Sequence, residues 1–599
     1  MTTNTSPSPS PSPNATSSAT GTDAITVEVI RHGLLASAEE MARNLCRTAY
    51  NTVVYEIHDY GIGLHDAAGD VVADAPGIAV FTRGNDHGIK RAVQFLGADT
   101  MAPGDVFILN YPYWSSAHTL DPLVFAPIHA DDEHGVQQLV GFASCRIHVL
   151  DLKQKDPGYV LDSTDASQEG IFFPATRLYV GGRQNDDVFN IIRFNSRMPE
   201  RTIGDIQAQV SACVTGRRRM QELVAKYGLG TVSSAMEAIN AHGEKLARLA
   251  LAQLPKGTWT AHDFVDNDGV DLDRLVKMNC TVTITDDEFV IDWSGSETGV
   301  RGPINLPVGQ TEAFCSLIFK AMTTPDTPVV AGNFAPMRIV TEPGSVMHAV
   351  HPMPTFTLWT ALIGGEVVLK ALAQGMPDRV PASSGGDVCS MMGLGTHPRT
   401  GEPWLEATNE AVGFGGHAGG DGEDGIMHLS EPGCRNNPVE VLETKSSMVI
   451  DSYGYRPDTG GAGRHRGGVG VARTYRFTGP STGICLVYKT KTKPWPVLGG
   501  LPGTNNQVVL NPGTEREVVQ GGSYNHLQAG DVLVNATGGG GGYGDPLLRD
   551  PAAVGRDVRN EFVSVSAALR DYGVVVAADG TVDETATAAE RASRGEESA

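Results

Sequence analysis

The chain has 599 residues, 41% of them hydrophobic and 19% charged, which is typical of a folded protein too long for a single core. Its net charge of -23 argues against binding to nucleic acid or to an anionic membrane, because both need a basic face. Eight cysteines without a C-x-x-C pair argue against a disulfide or zinc-knuckle scaffold, and the lack of an apolar run of about 18 residues predicts a cytoplasmic protein without a membrane span.

The first part of the chain predicts a mixture of helices and strands. Residues 1–24, with their Ser-Pro repeat, are predicted to form a disordered tail. Apolar residues at three- and four-residue steps predict a helix over 25–55, and alternation around a turn predicts a hairpin over 60–73. The elements predicted next are strands over 105–110 and 138–147 and helices over 202–227 and 232–254.

The second part of the chain favours strands and glycine-rich loops. Alternation such as that over 276–284 predicts a β-rich region from 258 to 345. Glycine-rich, irregular structure is expected to about residue 470, followed by further strands and one last helix over 554–568. Residues 576–599 are expected to be a second disordered tail. We therefore predict a multi-domain α+β fold, with a helix-strand region at 25–257, a β-rich region at 258–345 and a glycine-rich α+β region at 346–575.

A His-x-x-Asp pattern occurs twice, each time after a predicted strand. His118 and Asp121 follow the first strand, and His148 and Asp151 follow the second. A further carboxylate, Asp59, follows the first predicted helix. The set Asp59, His118, Asp121 and His148 has no thiolate and suits Zn(II), Mn(II) or Fe(II) with an open position for water. The alternative is that these residues make ordinary hydrogen bonds in loops.

Other chemical motifs are weak. The glycine run over 538–544 formally contains G-x-G-x-x-G, but Asp-Pro follows it and the chain nearly ends, so we interpret it as a structural loop. No P-loop pattern is present, so ATP is not expected to bind this chain by that motif. No G-x-S-x-G nucleophile motif is present either.

An ordered set of motifs resembles the hydantoinase B / 5-oxoprolinase family, which includes N-methylhydantoinase B-type subunits and is related to the large subunits of acetone- and acetophenone-type carboxylases. The resemblance covers roughly residues 25–575. The motifs are PGD at 103–105, NYPY at 110–113, QEG at 168–170, NSR at 195–197, GDIQAQ at 204–209, DWSG at 292–295, GPIN at 302–305, PVEVLE at 438–443, RPDTGGAG at 456–463 and GGGYGDP at 540–546.

The resemblance implies a metalloprotein whose ion is held by Asp59, His118, Asp121 and His148. It also implies a hetero-oligomer in which a hydantoinase A-type subunit uses ATP to phosphorylate a substrate oxygen. We therefore expect the metal-bearing subunit of an ATP-dependent amidohydrolase that opens a hydantoin, 5-oxoproline or a lactam. Either Asp151 or Glu169 is expected to act as the general base or to orient His148.

Two segments depart from the family pattern, at 81–88 and 152–158, and both would flank the ion. Two alternatives therefore stay open. The first is a subunit of an ATP-dependent ketone carboxylase of the acetone or acetophenone type. The second is a non-catalytic scaffold subunit, which would hold no stoichiometric metal.

Overall fold

The computed structural model describes residues 22–75 and 77–597. Residues 1–21 of the predicted tail over 1–24 lie outside the described residues. The first helix begins at Ala24, the last residue of that predicted tail. Helices and several sheets are both present, so the predicted α+β class is confirmed. Among the described residues, every helix is too short or too polar to traverse a bilayer.

The first region is a large antiparallel sheet with helices packed against it. Its strands lie in the order β2-β1-β5-β4-β3-β6-β7. The strands are β1 Tyr60–Asp66, β2 Val71–Ala75, β3 Val106–Leu109, β4 Leu123–Asp131, β5 Gln137–Ile147, β6 Thr176–Val180 and β7 Arg183–Gln184. The helices are α1 Ala24–Thr48, α2 Thr52–Tyr55, α3 Ala79–Leu96, α4 Pro112–Ser115, α5 Asp186–Asn195, α6 Pro199–Tyr227 and α7 Leu229–Ala252.

The predicted helix over 25–55 is in fact two helices. The buried carboxylate of Asp205 on α6 accepts hydrogen bonds from the backbone N–H groups of Tyr50 and Asn51, at 2.7 and 3.2 Å. The side chain of Asn51 then caps α2 by accepting a hydrogen bond from Val53 N at 3.0 Å. The break follows from these long-range bonds and turns the chain toward the end of β5, where Asn51 Nδ2 donates to the carbonyl of His148.

The middle region is a four-stranded sheet in the order β11-β10-β9-β8, in which β10 and β11 are parallel. The predicted alternation over 276–284 is β9, whose residues are alternately buried and half-buried. The stretch predicted to be β-rich also contains the buried helix α8, which lies between β10 and β11. The elements are β8 Gly257–Val265, β9 Val276–Ile284, β10 Phe289–Asp292, α8 Val308–Thr323 and β11 Met337–Val340.

The third region contains two further sheets, with strand orders β13-β12-β16-β19 and β14-β15-β20-β17-β18. The irregular structure expected over 346–470 is wrong in part, because this stretch contains α9, α10 and strands β12–β14. The elements are α9 Trp359–Ala373, β12 Ser390–Thr396, β13 Pro403–Thr408, α10 Val439–Lys445, β14 Met448–Tyr455, β15 Val471–Phe477, β16 Ser481–Leu486, β17 Gln507–Leu510, β18 Val518–Gln520, β19 Ser523–Leu527 and β20 Val532–Ala536.

Glycine-rich segments at 413–416, 460–468, 500–503 and 538–542 pack backbone against backbone. Gly413 N donates to the carbonyl of Gly538, and Gly540 N donates to the carbonyl of Gly468. A Cβ atom built on Gly540 would lie 2.0 Å from the carbonyl oxygen of Phe414, closer than any side chain can approach. The glycine run at 538–544 is therefore part of a packed backbone layer. This agrees with its interpretation as a structural loop.

The C-terminal part of the chain is helical. The predicted last helix over 554–568 is two helices, α11 Pro551–Arg559 and α12 Val565–Tyr572, and α13 Glu584–Glu597 follows them. The tail predicted over 576–599 is thus wrong where it is described. Its composition is polar, but Arg591 and Arg594 anchor α13 by donating to the carbonyls of Tyr572 and Arg570, at 3.0 and 2.8 Å.

The three predicted regions share a hydrophobic core. One contiguous cluster of buried residues includes Leu64 from the first region, Val282 from the second and Leu405 from the third. The domain boundaries at 257 and 345 therefore stay predictions, because the apolar packing is continuous across them.

Candidate metal centre

The two His-x-x-Asp segments lie side by side because their strands are neighbours. His118 and Asp121 are in the loop that enters β4, and His148 directly follows β5. β4 and β5 are antiparallel, and Leu123 at the start of one pairs with Arg146 at the end of the other. This pairing brings the three side chains to one edge of the sheet.

His118, Asp121 and His148 converge, and all three are buried. One possible ligand atom from each lies within 4.8 Å of the others. The Asp121 carboxylate contacts both imidazoles, with Oδ1 2.9 Å from His148 Nδ1 and Oδ2 3.1 Å from His118 Nε2. His118 Nδ1, Asp121 Oδ2 and His148 Nε2 have no hydrogen-bond partner. Buried polar atoms are rarely left unpaired, so these residues fit a metal ion with nitrogen and oxygen ligands.

The pKa shifts of His118 and Asp121 agree with a metal-binding role, whereas that of His148 favours the protonated ring, with which a metal would have to compete. Burial lowers the pKa of His118 to about 4, which leaves a neutral imidazole with a free lone pair at neutral pH. Burial also opposes the charged form of Asp121, but the two histidines together hold the pKa of Asp121 below its usual value. Burial works against protonation of His148, yet its hydrogen bond with Asp121 raises the pKa of His148 overall.

Asp59 lines the same cavity but lies outside the compact group of three. It precedes β1 and follows His58, which has a φ of 65° in the left-handed region that non-glycine residues seldom adopt. Burial raises the pKa of Asp59 well above its usual value, and the nearby His148 opposes that shift. The role of Asp59 as a fourth ligand stays a prediction.

A cavity of about 70 Å³ opens in front of these four residues. On this measure one water molecule needs roughly 10–15 Å³, so the cavity has room for a small organic molecule or several waters. Its far wall comes from the third region of the chain and includes Asn409 and Glu431. Neither residue is among those predicted from the sequence. Glu431 is half-buried, and its removal from water raises its pKa to about 7.

Asp151 and Glu169, the two residues predicted to act as bases, do not line this cavity. The carboxylate of Asp151 accepts hydrogen bonds from the backbone and the side chain of Arg197. Glu169 accepts hydrogen bonds from Ser163 and from the backbone N–H groups of Thr355 and Phe356. Their catalytic role stays a prediction, and no contact with the cavity supports it.

A buried guanidinium supports the loop that carries Asp121. Arg146 donates to Asn85 Oδ1 at 2.9 Å, to the carbonyl of Asp121 at 3.2 Å and to the carbonyl of Ser115. Arg146 is on β5, two residues before His148, and it is entirely buried. It therefore fixes the position of Asp121 relative to His148.

Replacing Arg146 with lysine is expected to weaken metal binding without removing it. A lysine cannot supply the fork of donors that reaches three acceptors, and changes in groups that orient ligands cost about 10–100-fold in metal affinity. The measurement is competition with a chelator of known affinity, with the exposed Arg193→Lys as the control. Unchanged affinity in a folded Arg146→Lys protein would contradict the positioning role.

Known proteins are similar to this chain over most of its length. A family model described as hydantoinase B/oxoprolinase matches residues 23–546. The B-type component of a putative D-/L-hydantoinase from Pseudomonas sp. (strain NS671) is 29% identical over 582 residues, which is 94% of this chain and 96% of that protein.

Solved structures agree with the fold. The ATP-dependent caprolactamase from Pseudomonas jessenii is similar with a TM-score of 0.86 and 26% identity, over 95% of this chain and 99% of that chain. An acetone carboxylase in its nucleotide-free form has a TM-score of 0.86 at 20% identity, over 96% of this chain and 83% of that chain. The second likeness concerns the fold alone.

Proposed function

The chain belongs to the hydantoinase B/oxoprolinase family, and from that membership we propose that it is the metal-bearing subunit of an ATP-dependent amidohydrolase that opens a cyclic amide. The observation that carries the proposal is the buried group of His118, Asp121 and His148, with one unpaired polar atom on each residue, at the edge of a cavity. Its similarity over nearly its whole length to a hydantoinase component supports amide chemistry.

The chain's own residues prepare the cavity for hydrolysis. Asp121 holds both imidazoles in place through its two carboxylate oxygens. The apolar walls keep bulk water away from the reacting carbonyl, which strengthens polar interactions inside. A divalent ion bound to these residues would supply the Lewis acidity that activates a water molecule near neutral pH. Zn, Mn and Fe all suit this donor set.

The polar edge of the cavity offers groups to orient the amide and to take up a proton. Asn409 donates to Glu431 Oε2 at 3.5 Å, and the hydroxyl of Ser390 donates to Asn409 Oδ1. Glu431 also accepts a hydrogen bond from the thiol of Cys434 at 3.6 Å. We assign to Glu431 the role of general base, which accepts the proton released by the attacking water. Glu431 lines the cavity, whereas Asp151 and Glu169 do not.

Activation of the amide is assigned to a partner subunit. An amide carbonyl is a poor electrophile, and phosphorylation of its oxygen by ATP would create a good leaving group. This chain has no P-loop motif, and the relative from Pseudomonas sp. is named as one component of a hydantoinase of several subunits. We therefore propose a hetero-oligomer with a hydantoinase A-type ATP-binding subunit.

The complex with such a partner is expected to release ADP when given a cyclic amide. Hydantoin, 2-pyrrolidone and caprolactam would be supplied separately with ATP, and the ring-opened product would be measured beside ADP. Incorporation of labelled bicarbonate into acetone or acetophenone, with no ring opening, would overturn the hydrolase in favour of a carboxylase. Purified protein with no stoichiometric metal by elemental analysis would support the scaffold role instead.

A further inference from the structure

The walls of the metal cavity are apolar except for one edge. The lining carboxyl and imidazole groups belong to Asp59, His118, Asp121, His148 and Glu431, and the other polar groups belong to Ser390, Asn409 and Tyr159. The remaining lining residues are Val53, Ile57, Phe81, Leu358, Trp359, Leu362, Val388, Met392, Ala407 and Leu486.

Resting on the function proposed above, we infer that this cavity selects neutral cyclic amides and rejects ring compounds that carry a carboxylate, such as 5-oxoproline. The inference names the substrate class more narrowly than membership of the family does. It comes from the charges that line the cavity and from those that are missing there.

No lysine or arginine lines the cavity among the described residues. Arg146 lies behind Asp121, but its guanidinium already donates to Asn85, Asp121 and Ser115. A substrate carboxylate would therefore find no cationic side chain to pair with. Burying a charge without a partner is costly, because it loses its hydration and gains nothing in exchange.

The carboxyl groups that line the cavity offer no positive charge to an anion either. Asp59, Asp121 and Glu431 are three carboxyl groups around one small space. An ion held by His118, Asp121 and His148 would be committed to activating the attacking water, so it would not be free to pair with a carboxylate of the substrate. A carboxylate on the ring of the substrate would then lie against the apolar part of the wall, which offers no hydrogen bond. A neutral ring buries its methylene groups there favourably.

Two ligands of nearly the same shape test the inference. 5-Oxoproline carries a carboxylate, and 5-oxoprolinamide carries a neutral carboxamide at the same carbon. In the complex with the partner subunit and ATP, kcat/KM is expected to be at least about 10²-fold higher for the amide, since an unpaired buried charge is discriminated against strongly. Equal values, or a preference for 5-oxoproline, would overturn the inference.

A second readout does not depend on turnover. Saturation-transfer NMR of the full chain loaded with Zn(II), without ATP, is expected to detect 5-oxoprolinamide and not 5-oxoproline. This measurement isolates the cavity of this chain from selection by the partner subunit. Binding of 5-oxoproline as strong as that of its amide would contradict the inference.

A single substitution should shift the preference. Met392 is a buried, unbranched side chain in the wall, so Met392→Lys introduces a cation with a similar path through the cavity. The ratio of kcat/KM for 5-oxoproline to that for its amide is expected to rise at least about tenfold, whereas Met392→Gln, similar in length but neutral, should keep the wild-type ratio. An unchanged ratio in a folded Met392→Lys protein would contradict the inference.

The two proposals fail differently. If no cyclic amide of either charge supports ADP release, the proposed hydrolase is wrong. If neutral and anionic rings are opened equally well, the hydrolase stands and the selectivity is wrong.

Discussion

Replacing His148 with alanine is expected to remove bound metal and turnover together while the fold persists. His148 supplies one of three convergent donors, and its Nδ1 atom is 2.9 Å from Asp121 Oδ1. The substitution therefore deletes one donor and frees the carboxylate that orients the others. Changes in groups that merely orient a ligand cost about 10–100-fold in metal affinity, so the loss of a ligand should exceed about 10²-fold.

The measurement combines elemental analysis of the purified chain with ADP release by the reconstituted complex. The matched control is His134→Ala, because His134 is an exposed histidine at the far end of the β4–β5 hairpin. Circular dichroism would establish that both variants are folded. Full metal content and activity in His148→Ala would contradict the assignment of the metal centre.

The sequence reveals the part of this site that depends on neighbouring strands. The spacing of His118 and Asp121, and the position of His148 at the end of a strand, are local features, and pairing of β4 with β5 brings them together. Asp59 joins this set through its donor type and the family resemblance, because its spacing along the chain does not place it near the other three. Its approach depends on the break after α1, which the carboxylate of Asp205 creates from far along the chain.

The other half of the cavity could not be predicted from local sequence. Glu431 and Asn409 occur in loops of the glycine-rich region, with no spacing that distinguishes them from other polar loop residues. They reach the cavity because the third region packs on the first in one continuous core. Even a correct prediction of every helix and strand would not show how the third region packs on the first.

The failure to predict α8 and α9 has one physical cause. The residues of α8 and α9 are buried on nearly every side, as the predominance of buried positions in both helices shows. A helix buried all round has no polar stripe, so the 3.6-residue periodicity that identifies surface helices such as α1 is lost. By contrast, β9 has one face in the core, and its alternation predicted its limits correctly.

Replacing Gly540 with alanine is expected to disrupt the third region of the fold. The added Cβ would lie 2.0 Å from the carbonyl oxygen of Phe414 and 2.5 Å from the backbone nitrogen of Gly415. Both neighbours are backbone atoms in segments that hydrogen-bond to the glycine layer, so neither can rotate away. Insertion of one methyl group into a well-packed core typically costs about 1–3 kcal/mol, and here the cost should be at or above the upper end.

The expected result is a fall in the midpoint of thermal unfolding of at least about 2 °C, and a lower yield of folded protein. Gly454→Ala is the matched control, because a Cβ on Gly454 in β14 would meet nothing within 4 Å. Gly454→Ala should therefore unfold near the wild-type temperature. If Gly540→Ala proved as stable as Gly454→Ala, the close packing of the glycine segments would not be what holds this region, and the far wall of the metal cavity, together.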